Sequence, residues 1–452
     1  MKLIEKQKLK LNIRKQGING EGIGYFNRIA VFVPGAIRKE VVNVEVVQVF
    51  DNYAIAKIID IERESKKRVL PPCKFYEECG NCDLQHIEYK EQLKIKQLIL
   101  EQSFKRYTSL NDVKSRIALT LTNLQNYHYR NYQEMIVKNT NFGVALGYFK
   151  PMTNHFVYID DCMVNDPEIN QISQLCLKLF RRHKLKAYDL RNKEGILYNL
   201  VIRYFKDTDS ASVVMVVKEK DKVLETIAHE LIQTFKSIKS VSYSIYNPDS
   251  KQIIYNPVEH LAGQEFIEST YHGLDVSVSA NGTFPNNLSV HELMNELILK
   301  HSGLSYDDTI INLYDLSTIS SLYFARYVKK VYAIDYSEAS IKDGFKNMKD
   351  LGVQNIELIK DHVEGALPKL FKGKEKIDSV ILNVPKYGLS KTSRDLMSKY
   401  KPNQVIYLSE NPSTLAKDID QLMNEYQVSK IIPVDLYPQT SRIDSITILE
   451  RK

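Results

Sequence analysis

The sequence predicts a multidomain chain with a small N-terminal β-barrel, a central α+β region and a C-terminal doubly wound α/β domain. Three observations carry this. Residues 8–61 alternate apolar and polar positions and are rich in valine. Three of the five cysteines crowd into Cys73–Cys82, amid proline and glycine. From about Leu274 onward, strand-like and helix-like patterns alternate. The expected divisions are 1–62, 63–273 and 274–452.

In the first division Lys8–Arg14 alternates, and Val31-Phe32-Val33 precedes the turn Pro34-Gly35-Ala36. Val41–Phe50 and Tyr53–Ile61 flank Asp51-Asn52, a hairpin-like turn. Gly20-Glu21-Gly22-Ile23-Gly24 precedes a strand, not a helix, so it reads as a place where a barrel strand bends and not as a dinucleotide loop. Short basic barrels of this size commonly bind oligonucleotides.

In the second division Glu64–Arg68 is a charged connector and Glu88–Arg106 a helix. Tyr127-His128-Tyr129-Arg130-Asn131-Tyr132 interleaves aromatic and basic residues. That pattern stacks nucleobases, and it equally makes a half-buried strand. Val137–Lys150 and Tyr198–Lys218 read as strands, Glu168–His183 and Asp221–Ser237 as helices.

The third division reads as strands at Thr309–Tyr314, Val331–Asp335, Ile356–Lys360, Ser379–Leu382, Gln404–Leu408, Val428–Asp435 and Ile443–Glu450. Helices are expected at Leu288–His301, Ile319–Val328, Ser337–Leu351 and Ser413–Gln427. This is a parallel sheet covered on both faces, with an antiparallel edge. Asp335 ends its strand where such folds bind a ribose hydroxyl; an acid there also caps the following helix.

The composition is that of a globular protein, 43% hydrophobic and 26% charged. No apolar run approaches the ~18 residues of a membrane span. The start, Met1-Lys2-Leu3-Ile4-Glu5-Lys6, lacks an apolar signal region, so a cytoplasmic protein without membrane association is expected. Net charge is +7, and residues 1–110 hold 20 Lys and Arg against 14 Asp and Glu. A basic front module suits a polyanion; it also suits a merely soluble surface.

Cys73, Cys79 and Cys82 have the spacing C-x5-C-x2-C. Four thiolates hold an iron–sulfur cluster or a structural zinc. Cys162 is the better fourth ligand, because Cys176 sits in the apolar helical stretch Gln174-Leu175-Cys176-Leu177 and reads as a small buried hydrophobe. The absence of repeated CxxC pairs favours iron–sulfur.

In this order the pieces resemble the bacterial RNA (uracil-C5) methyltransferases that act on 23S ribosomal RNA and contain a [4Fe–4S] cluster. The resemblance runs the full length. It implies that residues 8–61 are a TRAM (OB-like) RNA-binding barrel. It implies cluster ligation by Cys73, Cys79, Cys82 and Cys162, and a Rossmann-like S-adenosylmethionine-dependent methyltransferase domain at the C-terminus. Pro433-Val434-Asp435-Leu436-Tyr437-Pro438-Gln439-Thr440 resembles the family's P-V-D-x-F-P-x-T. RNA, of the ribosome, is the implied partner, and the chain is expected to act as a monomer.

The catalytic motifs depart from the family. Its nucleophile is the Cys of S-C-N-P, which attacks C6 of uracil. Here the run is Ser409-Glu410-Asn411-Pro412, with Glu410 in the nucleophile position. The family's general-base Glu falls on Asp444, one methylene shorter. The cofactor loop D-L-Y-C-G-x-G has become Asn312-Leu313-Tyr314-Asp315-Leu316-Ser317-Thr318, without either glycine. D-P-P-R has become Asn383-Val384-Pro385-Lys386, and F-F-Q-x-N has become Thr283-Phe284-Pro285-Asn286-Asn287. Tyr314, Asp335, Asn383 and Pro285 therefore occupy degenerate cofactor positions. The expectation is an RNA-binding member with impaired catalysis and no micromolar S-adenosylmethionine binding. The alternative is an active 23S rRNA or tRNA m5U methyltransferase with a divergent site.

Overall fold

The computed structural model describes residues 3–151, 153–250, 252–254, 257–373 and 375–452; the side chain of Leu316 lies outside the described part. The chain forms two compact units. One comprises Met1–Asn126, Pro385–Leu389 and Leu408–Thr447; the other Tyr127–Val384, Ser390–Tyr407 and Ile448–Lys452.

The first unit begins with a six-stranded sheet in the order Lys8–Asn12, Val41–Val49, Tyr53–Arg63, Ile29–Val33, Gly22–Phe26, Lys15–Gln16. Its inward side chains, among them Leu9, Leu11, Val31, Val33, Val42, Val44, Ala54 and Ala56, form one buried cluster. Gly22 and Gly24 face this interior. A Cβ at Gly22 would stand 2.8 Å from Ala36 Cβ, and one at Gly24 3.2 Å from Leu11 Cβ. The glycines are there because opposite walls of the barrel meet at them. The cysteine turn follows, and then the helix Tyr89–Tyr107, with Ile95, Ile99, Leu100 and Phe104 buried. The same unit holds Tyr426–Val434, which lies beside the first half of Asp444–Arg451.

The second unit contains a seven-stranded sheet in the order Val258–Gly263, Ile238–Ile245, Ser210–Val217, Leu197–Phe205, Tyr132–Thr140, Gly143–Phe149, Phe156–Tyr158. The helices Pro167–Arg182 and Lys222–Thr234 supply its core with Ile169, Ile172, Phe180, Leu224, Ile227 and Leu231. Cys176 is fully buried in this core, as its apolar setting predicts. Each long strand expected from the pattern is a hairpin: 137–150 turns before Gly143 (φ +96°), and 198–218 turns at Asp209. Phe266–Tyr271 and Leu274–Ser279 pair as a two-stranded ribbon.

The unit also holds the parallel sheet. Lys330–Asp335 pairs with Ile356–Lys360 and with Thr309–Leu313, which pairs in turn with Ser379–Val384; Gln404–Ser409 is next in order. Leu288–Ser302, Glu338–Asp350 and the short Ile319–Phe324 are helical as expected. Two further helices, Val363–Lys372 and Lys391–Tyr400, have no counterpart in the sequence reading. Among the described residues no helix is long and apolar enough to cross a membrane.

Candidate functional site

Within the first unit, Ser409-Glu410-Asn411-Pro412 joins a strand to the helix Pro412–Leu422. Asn411 is the N-cap: its side-chain oxygen accepts from the N–H groups of Ser413 (3.0 Å) and Thr414 (3.3 Å), and Pro412 sits where no N–H is needed. Asn411 Nδ2 donates to Lys386 O at 3.0 Å. The family's Asn and Pro thus keep the turn, and Glu410 is exposed at its tip.

Asp444 begins the last strand. Its Oδ2 is buried and has no hydrogen-bond partner among the described residues. Burial, and next the Glu410 carboxylate nearby, push its carboxyl up to about 7. The structure therefore brings together the two positions singled out as nucleophile and base, and both are acids. One proton on Asp444 relieves the repulsion between them.

The approach to Asp444 is held by a buried polar network. Lys96 and Asp435 are both fully buried and form an ion pair. Lys96 Nζ also donates to Tyr437 O (3.1 Å), and the Tyr89 hydroxyl donates to Asp435 Oδ2 (2.8 Å). Gln439 has a left-handed backbone, φ +68°. Its carbonyl accepts from the N–H groups of Asp83 (3.2 Å) and Leu84 (3.1 Å), and its side-chain oxygen from Gln92 Nε2 (2.9 Å). Asp83 in turn accepts from Ser441 N (2.5 Å) and Ser441 Oγ (2.6 Å). Lys96 was missed in the sequence. The signal was present: it falls on the same helical stripe as Gln92, Ile99 and Leu100, where a lysine is buried only if paired.

Cys73 and Cys82 flank a one-turn helix, Tyr76–Cys79, whose last residue is Cys79 and which is closed by Gly80 at φ +72°. All three are half-buried, as is Cys162 of the second unit. Cys162 N donates to Asn170 Oδ1 at 3.3 Å. The donor set is chemically suited to iron or zinc. Among the described residues, however, no three His, Cys, Asp or Glu side chains are grouped so as to hold a metal ion.

In the second unit, Tyr314, Ser317 and Thr318 all have positive φ, at +57°, +47° and +66°. Thr318 replaces a family glycine and keeps the left-handed backbone that a glycine adopts without strain. Its side chain is lodged against Gly344: a Cβ there would lie 2.2 Å from Thr318 Oγ1. Ser317 Oγ is buried with no partner among the described residues. Asp315 is buried and accepts from Ser320 N (3.3 Å) and Ser321 N (2.9 Å). Burial raises its carboxyl to about 7, with lesser repulsion from Asp335.

Asp335 accepts from Ser337 N at 2.7 Å, so it helps to start the next helix; burial raises it to about 6. Asn383 Nδ2 donates to Tyr314 O at 3.4 Å. Pro285 is buried, and its carbonyl accepts from Asn131 Nδ2 at 2.9 Å. The buried Arg203 donates to Gly282 O (3.2 Å) and Phe284 O (3.4 Å) and so holds the Thr283–Asn287 segment. Its guanidinium lies 4.5 Å from the Tyr132 ring, and Tyr129 is buried. Those two aromatic residues serve the interior.

A TRAM-like barrel, a methyltransferase-type parallel sheet and altered motifs at the expected loops define the class of protein. The comparisons give the particular family. Residues 88–452 match the tRNA (Uracil-5-)-methyltransferase family and residues 5–59 the TRAM domain. The chain belongs to the tRNA (uracil-5-)-methyltransferase family. An uncharacterized RNA methyltransferase of Listeria innocua is 33% identical over 452 residues, covering 99% of this chain and 98% of the relative. One from Enterococcus faecalis is 30% identical over 451 residues, with 99% and 98% covered. The fold is that of the Pyrococcus abyssi tRNA (uracil-54, C5)-methyltransferase, solved in complex with S-adenosyl-L-homocysteine. The TM-score is 0.75 at 22% identity, over 98% of this chain and 100% of that one.

Proposed function

We propose that this chain is an RNA-binding member of its family that no longer transfers methyl groups. The observation that carries the reading is the carboxylic acid of Glu410 beside Asp444, where the family has a thiol. A carboxylate is a poor nucleophile toward C6 of uracil, and its charge opposes the electron-rich adduct. Asp444, raised to about 7, lies in the range of a working base, so the impairment is assigned to Glu410.

S-adenosylmethionine would supply an electrophilic methyl group. The Pyrococcus abyssi relative holds the demethylated cofactor. The residues at the matching positions here are Tyr314, Asp335, Asn383 and Pro285. Of these, Asp335 retains the carboxylate that suits a ribose. Thr318 puts a side chain where the family has a glycine, and Pro285 has no side-chain polar group. Losing two such contacts weakens binding by about 10²–10³-fold.

The proposed partner is ribosomal RNA, bound by a cytoplasmic monomer through the basic barrel of residues 1–62. The other proposed domains are 63–273 and 274–452. Cys73, Cys79, Cys82 and Cys162 are the proposed ligands of one [4Fe–4S] cluster. The thiol chemistry and the glycine-closed turn support this, and about four irons per chain in anaerobically purified protein is the expected result. One zinc and no iron would overturn it.

Filter binding to ribosomal RNA tests the main reading. Affinity should fall steeply with salt, as phosphate neutralisation requires. No binding at low salt would refute it. The alternative, an active uridine methyltransferase with a rebuilt site, would show itself by labelled methyl groups in RNA.

A further inference from the structure

The barrel has two unlike outer faces. Lys8, Lys10, Asn43 and Glu45 point outward from the paired strands Lys8–Asn12 and Val41–Val49. That wall is polar, as a solvated face should be. The strands Gly22–Phe26, Ile29–Val33 and Tyr53–Arg63 differ. Val31, Val33, Ala54 and Ala56 point inward. The alternate positions therefore point outward, and they are Ile23, Tyr25, Ala30, Phe32, Tyr53 and Ile55.

Register places these in two rows. Ile23 pairs with Phe32 and Phe32 with Ile55; Tyr25 pairs with Ala30 and Ala30 with Tyr53. The Tyr53 ring meets Phe32 edge-on at 5.4 Å and stacks on Phe50 at 4.4 Å. Tyr25 is 39% exposed and Phe50 36%. Cations border the patch. Arg14 lies 6.0 Å from the Tyr25 ring, Lys15 continues the first row beside Ile23, and Arg28 is exposed at the turn next to it. Lys57, farther along, is paired with Glu45. Two acids, Glu21 and Asp51, also adjoin it.

An outward aromatic and aliphatic stripe in a small barrel loses free energy to water unless something covers it. The bordering guanidinium and ammonium groups favour a polyanion as that cover. Flat aromatic rings between cations match nucleobases joined by phosphates. Paired bases in a duplex present no such faces. We propose that this face, centred on Phe32 and Tyr53, is a stacking platform for unpaired nucleotides of RNA. The proposal rests on the RNA-binding reading above and names the site and the strandedness of its ligand.

The test uses the full chain, a labelled single-stranded oligouridylate and a blunt RNA duplex of the same length. The variant is Phe32→Leu with Tyr53→Leu, which keeps apolar bulk and removes the rings; circular dichroism and melting confirm that it folds. Wild type should prefer the single strand. The variant should lose about 10- to 100-fold in single-strand affinity with an unchanged salt slope, and little on the duplex. Ultraviolet crosslinking of the wild type, with peptides identified by mass spectrometry, should map to Tyr25, Phe32 or Tyr53. Unchanged single-strand affinity, equal losses on both ligands, or crosslinks confined to other segments would overturn the proposal while RNA binding stood. Wild type that binds neither RNA would instead remove the underlying reading, and this site with it.

Discussion

Two loops of this chain carry the same backbone strain in opposite settings. Gln439 and Thr318 both hold a non-glycine residue in the left-handed region, at φ +68° and +66°. Around Gln439 the loop is held on several sides: Asp83, Leu84 and Gln92 bond to it, and the Lys96–Asp435 pair belongs to the same network, with only Gln92 Oε1 left buried without a partner among the described residues. Around Thr318, Ser317 Oγ is buried without a partner, and the threonine side chain presses on a glycine. Such strain persists where the surroundings over-determine it. The tail loop meets that condition. The strand-to-helix turn keeps a glycine's backbone without the glycine. On the proposed reading, the framework is maintained at the first loop and the constraint on cofactor binding is relaxed at the second.

The largest expected effect breaks the first loop. Lys96→Met leaves Asp435 buried and unpaired, and urea denaturation should show a loss of about 3–5 kcal/mol. Lys96→Met with Asp435→Leu should recover most of it, because the uncompensated charge is gone. A single variant as stable as the wild type would show that the network does not hold the loop.

The next effect is a pH dependence. Asp315 and Asp444 titrate near 7 in the folded chain and near ~4 when unfolded. Between those values the folded state binds more protons than the unfolded one. The stability that these protons confer is present below about pH 4 and is lost as pH rises to about 7. Asp315→Asn and Asp444→Asn should each flatten that decline, measured as denaturation midpoints across the range. An unaltered slope in both would contradict the burial argument.

The smallest effect separates the loops by sign. Thr318→Gly relieves strain of roughly 1–2 kcal/mol but adds freedom to the unfolded chain, so a net gain of about 0.5–1 kcal/mol is expected. Gln439→Gly relieves similar strain but removes the bond from Gln92, and should destabilise by about 1 kcal/mol. Gains at both positions would erase the distinction between them.

Much of this was legible in sequence. The barrel showed itself because its side chains alternate between core and surface over short strands. Glu410 and the missing glycines stood out because they fall inside fixed motifs. Other features could not be read. The Lys96–Asp435 pair joins residues 339 apart, and no local pattern announces its partner. The left-handed turn at Thr318 runs against the preference of a β-branched residue. The helix Val363–Lys372 contains Pro368, an interior breaker that hides it. Of the two readings offered for Asp335, the hydrogen bond from Ser337 N bears out the one at the helix start.

The most direct measurement is transfer of labelled methyl from S-adenosylmethionine to ribosomal RNA lacking its C5-methyluridines, with a relative carrying Cys in S-C-N-P as positive control. The account predicts label in the control and none above background with this chain, at RNA concentrations where filter binding shows the complex formed. Label recovered as 5-methyluridine from the wild-type reaction would contradict it.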